Sequence, residues 1–242
     1  VAIALFLSRT SRWRPIALVG CSMLAGLNLI LTVSRGGYIA CAVVIVILGI
    51  IYLKQLLQPK ILITLLASSV IILLVALRFF NAGAQLESFT HHVTNLFDGA
   101  SYVERATTGD LAYTIWLQHP WIGIGPGGFG PVASYHPLIE PGNGYKIVNN
   151  EYLELLAETG VLGLVTFLII IIMLLVRSIK AIQHGQDTFL RTIAIALTVA
   201  LVGILVQYNT FSILYIMHIW CTIGLLITVQ NCLLYAPTRQ AQ

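Results

Sequence analysis

Hydrophobic residues gather into six long runs, at about Ile16 to Val33, Gly37 to Leu57, Ile61 to Leu77, Leu153 to Val176, Leu190 to Tyr208 and Ser212 to Leu234. Each approaches the about 20 residues that a helix needs to cross the hydrocarbon core of a bilayer. The pattern therefore predicts six transmembrane helices, and Val1 to Leu7 reads as the tail of a truncated further span. Between the third and fourth runs lies a stretch of mixed polarity, from Arg78 to Asn150, which is too long for a mere connector between packed helices.

Inside that stretch the pattern changes repeatedly. Leu111, Ile115 and Trp116, set between Asp110 and Gln118, suit a short helix lying at the membrane interface. His119-Pro120 stops it. Gly123-Ile124-Gly125-Pro126-Gly127-Gly128-Phe129-Gly130 predicts an irregular turn, because so many glycines around a proline sustain neither helix nor strand. Asn149 or Asn150 caps the next helix, Glu151 favours its first turn, and Leu153, Leu156, Val161 and Leu164 lead it into the membrane. Glu151, Glu154 and Glu158 share one helix face and read as a polar stripe near the surface. Tyr152, Trp116, Trp121 and Tyr145 are aromatic residues of the kind that gather at bilayer interfaces, or that stack on a ring-shaped ligand.

Composition agrees with the runs: 58% of residues are hydrophobic, 9% are charged and the mean hydropathy is +0.90. The expected fold class is an all-α integral membrane protein of about six transmembrane helices, with a large, partly helical extracytoplasmic loop. Its organisation is N-terminal membrane helices over 1–77, the loop over 78–150, and C-terminal membrane helices over 151–242.

Charge gives the orientation. Arg9, Arg12, Arg14, Lys54, Lys60, Arg177, Lys180, Arg191 and Arg239 all fall on one side if the spans alternate, which marks that side as cytoplasmic. Only Arg35, Arg78, Arg105 and Lys146 fall on the other side, with every acidic residue except Asp187. Residues 78–150 are thus expected to be extracytoplasmic. The net charge of +4 is a topology signal and points to no nucleic-acid partner. Basic residues placed against the bias are the functional candidates, and Arg35, isolated between two apolar runs in Ser34-Arg35-Gly36-Gly37, needs an anionic partner.

Other chemistry is thin. The four cysteines lie within or at the ends of apolar runs, and the six histidines show no zinc-site spacing, so no metal or disulfide is expected. Gly123, Gly125 and Gly128 satisfy GxGxxG, but a dinucleotide site needs a βαβ unit around it. The loop reads instead as a close-approach turn, either packed or lending the N–H groups of Gly125, Gly127 and Gly128 to an anionic or sugar-bearing ligand.

Three motifs in order resemble the O-antigen ligase and polymerase family of bacterial membrane glycan-transfer enzymes. They are Ser34-Arg35-Gly36-Gly37, then Arg105 followed by His119-Pro120-Trp121-Ile122-Gly123-Ile124-Gly125-Pro126-Gly127-Gly128-Phe129, then Asn150-Glu151-Tyr152-Leu153-Glu154 running to Gly160. The resemblance implies a multi-pass protein of the plasma (inner) membrane that moves a glycan from an undecaprenyl-diphosphate carrier to a glycan or lipid acceptor hydroxyl, with no cofactor. Arg35 and Arg105 match the family's diphosphate-binding positions. The family's acceptor-side histidine is Asn149 here, and asparagine accepts no proton near neutral pH. Asn149 is then left to orient the acceptor with Asn150, and Glu151 or His136 to serve as base, with Glu154 near the sugar. Two other classes stay open on sequence: an anion transporter for bicarbonate-like substrates, whose binding needs no base, and a non-catalytic member that holds lipid-linked glycans.

Overall fold

The computed structural model describes residues 15–32, 34–79, 100–136, 146–212 and 214–235. The expected truncated span over Val1 to Leu7 lies outside them, as do His91, His92 and Tyr145. Regular structure among the described residues is entirely helical: α1 (Pro15–Thr32), α2 (Arg35–Ile51), the short α3 (Leu53–Leu56), α4 (Pro59–Phe79), α5 (Ala100–Gln118), the short α6 (Phe129–Ser134), α7 (Glu151–His184), α8 (Thr188–Gln207) and α9 (Met217–Tyr235).

Helices occupy all six apolar runs, and local residues set their ends. Pro15 and Pro59 stand at first helical positions, where a missing N–H costs nothing and φ is already helical. Ser34 caps α2, its hydroxyl accepting the Gly37 N–H, and the Asp187 carboxylate accepts the Leu190 N–H at 2.9 Å to open α8. Three helices, α7, α8 and α9, are long and apolar enough to cross a membrane. The others contribute shorter apolar stretches, Leu18–Leu29, Gly36–Ile51 and Ile61–Ile71. The protein is a multi-pass membrane protein, and large apolar side chains such as Ile45, Ile63, Ile170 and Met173 are exposed, as lipid-facing positions must be.

The chain forms two compact units, each discontinuous in sequence. One comprises Val1–Thr90, Leu174–Ile204 and Met217–Gln242. Its core joins Leu48, Tyr52 and Ile61 to Ala196 and Val199. Gln230 is fully buried and donates to the Leu174 carbonyl and the Ser178 hydroxyl at 3.1 and 2.8 Å, the polar adhesive that apolar helices use where lipid offers no partner.

The other unit comprises His91–Met173 and Leu205–Ile216. A small core of Ala112, Ile115, Phe129, Ala133, Val148 and Ala157 binds α5, α6, the segment before α7, and the start of α7 into one body. The α5 helix begins ten residues earlier than Asp110, at Ala100, and ends at Gln118 as His119-Pro120 predicts.

Candidate functional site

Two glycines shape the second unit. The α7 helix is broken at Gly160, with φ 66° and ψ −169°, a conformation only glycine adopts freely. A break there releases the Ala157 and Glu158 carbonyls and the Val161 and Leu162 N–H groups from their helical partners. The glycine loop takes up all four: Ile124 and Gly125 donate to the Ala157 and Glu158 carbonyls at 3.1 and 2.8 Å, while the Pro120 and Trp121 carbonyls accept from Val161 and Leu162 at 2.9 and 3.3 Å. Backbone runs on backbone here. The loop manages its own bends with positive φ at Gly123, Gly125 and Gly127.

The acidic stripe does not face water. Glu151, Glu154 and Glu158 are 1%, 2% and 1% exposed, and each carboxylate accepts from groups outside its own helix, as buried carboxylates must. Glu158 takes the Gly127 and Phe129 N–H groups at 2.8 and 3.1 Å and the Tyr215 hydroxyl at 2.7 Å. Glu151 accepts the Leu214 N–H at 2.8 Å and donates its own N–H to the Tyr208 carbonyl. Glu154 accepts the Val148 N–H at 2.9 Å. The turn 205–216 is thereby fastened to α7, with Tyr152 adding a hydroxyl bond to the Leu205 carbonyl and an edge-on ring contact with Tyr208.

Desolvation of its hydroxyl, followed by the Glu158 carboxylate that it bonds, pushes the Tyr215 phenol up although much of the ring is exposed. Burial, followed by the Glu151 charge, does the same to Tyr208. Both stay protonated, so Tyr215 remains a donor to Glu158.

Arg105 lies on the exposed part of α5. Its neighbour Glu104 pairs with Lys146 at 3.0 Å, and among the described residues no carboxylate pairs with Arg105. One turn on, Thr108 is fully buried, and its hydroxyl lies 3.2 Å from both the Arg105 and the Val148 carbonyls. Asn149 follows Val148 with φ 59°, a left-handed conformation in which Asn, Asp and His are the enriched side chains other than glycine. Asn150 is the cap: its side-chain oxygen accepts the Tyr152 and Leu153 N–H groups, both at 3.1 Å.

Of the residues singled out by sequence, Arg105, Gly125, Gly127, Gly128, His136, Asn149, Asn150, Glu151, Tyr152 and Glu154 all belong to this one unit. Arg35, the first residue of α2, belongs to the other. The Gly127 N–H serves Glu158, and the Gly125 N–H serves the Glu158 carbonyl. Gly128 approaches so closely to the Gly125 carbonyl that a Cβ would lie 2.9 Å from it. His136 follows α6, half-buried. Sequence reasoning missed Thr108, Tyr215 and the central place of Glu158. The seven-residue spacing from Glu151 to Glu158 was the available signal, but the same stripe suits a solvated face equally well. Among the described residues no group of three or more His, Cys, Asp or Glu side chains is arranged to hold a metal ion.

A family model described as O-antigen ligase matches residues 20–168, a range that takes in α2, α5, the glycine loop and the Gly160 break. No curated protein gives a match.

Proposed function

Because the chain belongs to the O-antigen ligase family, whose members are membrane glycan ligases and polymerases, we propose that it transfers a glycan from an undecaprenyl-diphosphate carrier to an acceptor hydroxyl at the outer face of the bacterial plasma membrane. The observation that carries this reading is that Arg105 is exposed and that, among the described residues, no carboxylate pairs with it. Glu104 is taken by Lys146, while Glu151, Glu154 and Glu158 are bound by amides and a phenol. An exposed guanidinium with no carboxylate on it among the described residues is open to an external anion, and its planar fork fits a diphosphate oxygen pair.

Arg35, in the other unit, is proposed separately as an anion-binding cation. It stands at the first position of the 17-residue α2, where its charge adds to the positive end of the helix dipole and favours a bound anion. The leaving group in glycan transfer is a lipid diphosphate, so negative charge grows on it as the glycosidic bond breaks. Fixed cations stabilise that charge. Asn149 orients the acceptor hydroxyl through its side-chain amide, and His136 is the titratable group assigned to receive the acceptor's proton. Glu151, buried and tied to Leu214, has a positioning role in closing the 208–214 turn. Asn150, Tyr152 and Glu154 hold the start of α7 around Asn149.

The test is transfer by the full chain in proteoliposomes supplied with a lipid-linked glycan and an acceptor. Arg105→Ala should lower kcat by about 10²–10³-fold, the usual loss when one preorganised charge-stabilising donor is removed, with expression unchanged. Arg105→Lys should fall between the two. Undiminished transfer by Arg105→Ala would overturn the role of Arg105, and anion uptake without any transfer would identify a transporter instead.

A further inference from the structure

The segment before α7 is strapped along α5 at two points. Lys146 reaches Glu104 at 3.0 Å, and the Val148 carbonyl meets the Thr108 hydroxyl at 3.2 Å. Glu104 and Thr108 are one helical turn apart, about 6 Å along the axis, and two residues of non-helical chain span up to about 7 Å, so the two spacings match. Val148 is then held through both of its backbone groups, because its N–H is donated to Glu154 of α7 at 2.9 Å. Thr108 is fully buried, and Glu154 is 2% exposed. Neither can touch a glycan or a carrier lipid.

What they fix is the pair on either side of them. The Thr108 hydroxyl also lies 3.2 Å from the carbonyl of Arg105, and Asn149 follows Val148 directly in its left-handed conformation. One hydroxyl thus spans the backbone of the proposed diphosphate-binding residue and the peptide that carries the proposed acceptor-orienting residue. We propose that Thr108 and Glu154 are positioning residues that set Asn149 against Arg105, so that acceptor and carrier meet in reacting geometry; this rests on the transfer reading above. Small displacements in such a pair are costly, since rate depends steeply on the alignment of two bound reactants.

Thr108→Val keeps the shape of the side chain and removes the hydroxyl, and Thr108→Ser restores it. In the proteoliposome assay, Thr108→Val is expected to lower kcat about tenfold while the KM for the lipid-linked donor changes less than twofold, and Thr108→Ser is expected to recover most of the rate. Glu154→Gln, which keeps an acceptor oxygen for the Val148 N–H, should lose less than Glu154→Ala. Ile115→Val, a core change of comparable size on the same helix, should leave kcat unchanged and so separates positioning from simple loosening. Hydrogen exchange supplies an activity-free reading: Thr108→Val should speed exchange within 146–150, and Thr108→Ser should not. Wild-type kcat in Thr108→Val, or equal losses in Thr108→Val and Ile115→Val, would overturn this inference alone. A wild-type chain that transfers nothing would overturn the transfer reading and this inference with it.

Discussion

Gly123 and Gly160 sit at one crossing of two backbones, and neither leaves room for a side chain. A Cβ on Gly160 would lie 2.3 Å from the Trp121 carbonyl carbon, and one on Gly123 would lie 2.3 Å from that of Glu158. The atoms in the way belong to the main chain, so no rotamer change relieves them. The glycine loop and the break in α7 are consequently one feature, built from both sides.

Alanine at either position should therefore do more harm than its conformational strain alone, which is about 1–2 kcal/mol. Gly125 has a φ of 99° but open space around its missing Cβ. Gly125→Ala should accordingly show only the strain. Thermal unfolding of detergent-solubilised protein checks this order, with Gly123→Ala and Gly160→Ala falling well below Gly125→Ala. Equal melting temperatures for all three would contradict the crossing.

Tyr215→Phe removes the hydroxyl that bonds Glu158 and should cost about 1 kcal/mol, an ordinary hydrogen-bond contribution for a ring that is itself largely exposed. A double-mutant cycle with Glu158→Gln should show that the two losses do not add.

Alkaline pH should loosen the same unit. The Tyr215 and Tyr208 phenols are pushed above their ordinary value, so folding favours the protonated form. Their contribution is complete below the unfolded pKa of about 10 and is lost as pH rises beyond it. Melting temperature followed from neutral to strongly alkaline pH should fall in the wild type, and fall less in Tyr215→Phe. An identical alkaline loss in both proteins would remove Tyr215 as a contributor.

Asn149→His should be accepted by the fold, because histidine also tolerates the left-handed backbone at φ 59°. Asn149→Val should not, since a β-branched side chain is strained there. With a second imidazole placed at the acceptor in addition to the proposed base His136, the pH profile of transfer should differ from that of wild type. A pH profile unchanged from wild type would count against Asn149 facing the acceptor.

Much of this was legible from single residues. His119-Pro120 ended α5 where a proline must, Asn150 capped α7 through its side-chain oxygen, and the glycine run made an irregular turn. The start of α5 at Ala100 was not legible, because Ala100 to Gly109 lacks an apolar stripe, and the ties that hold it are the Thr108 bond to Val148 and the Glu104 pair with Lys146. Glu151, Glu154 and Glu158 illustrate the same limit. Helical spacing puts them on one face, but whether that face meets water or another segment depends on the turn at 205–216, more than forty residues away.

The order of residues by itself determined the membrane class, the positions of the apolar helices, the breaks at proline and glycine, and the family resemblance, because length, hydropathy and backbone permissiveness are properties of local sequence. Only the tertiary structure decided that the acids are buried fasteners, that the glycine amides serve Glu158 and the broken helix, and that Thr108 links Arg105 to the peptide before Asn149. Those outcomes depend on which distant donor reaches a buried acceptor once the chain is packed, and a carboxylate or amide carries no sequence mark of the partner it will find.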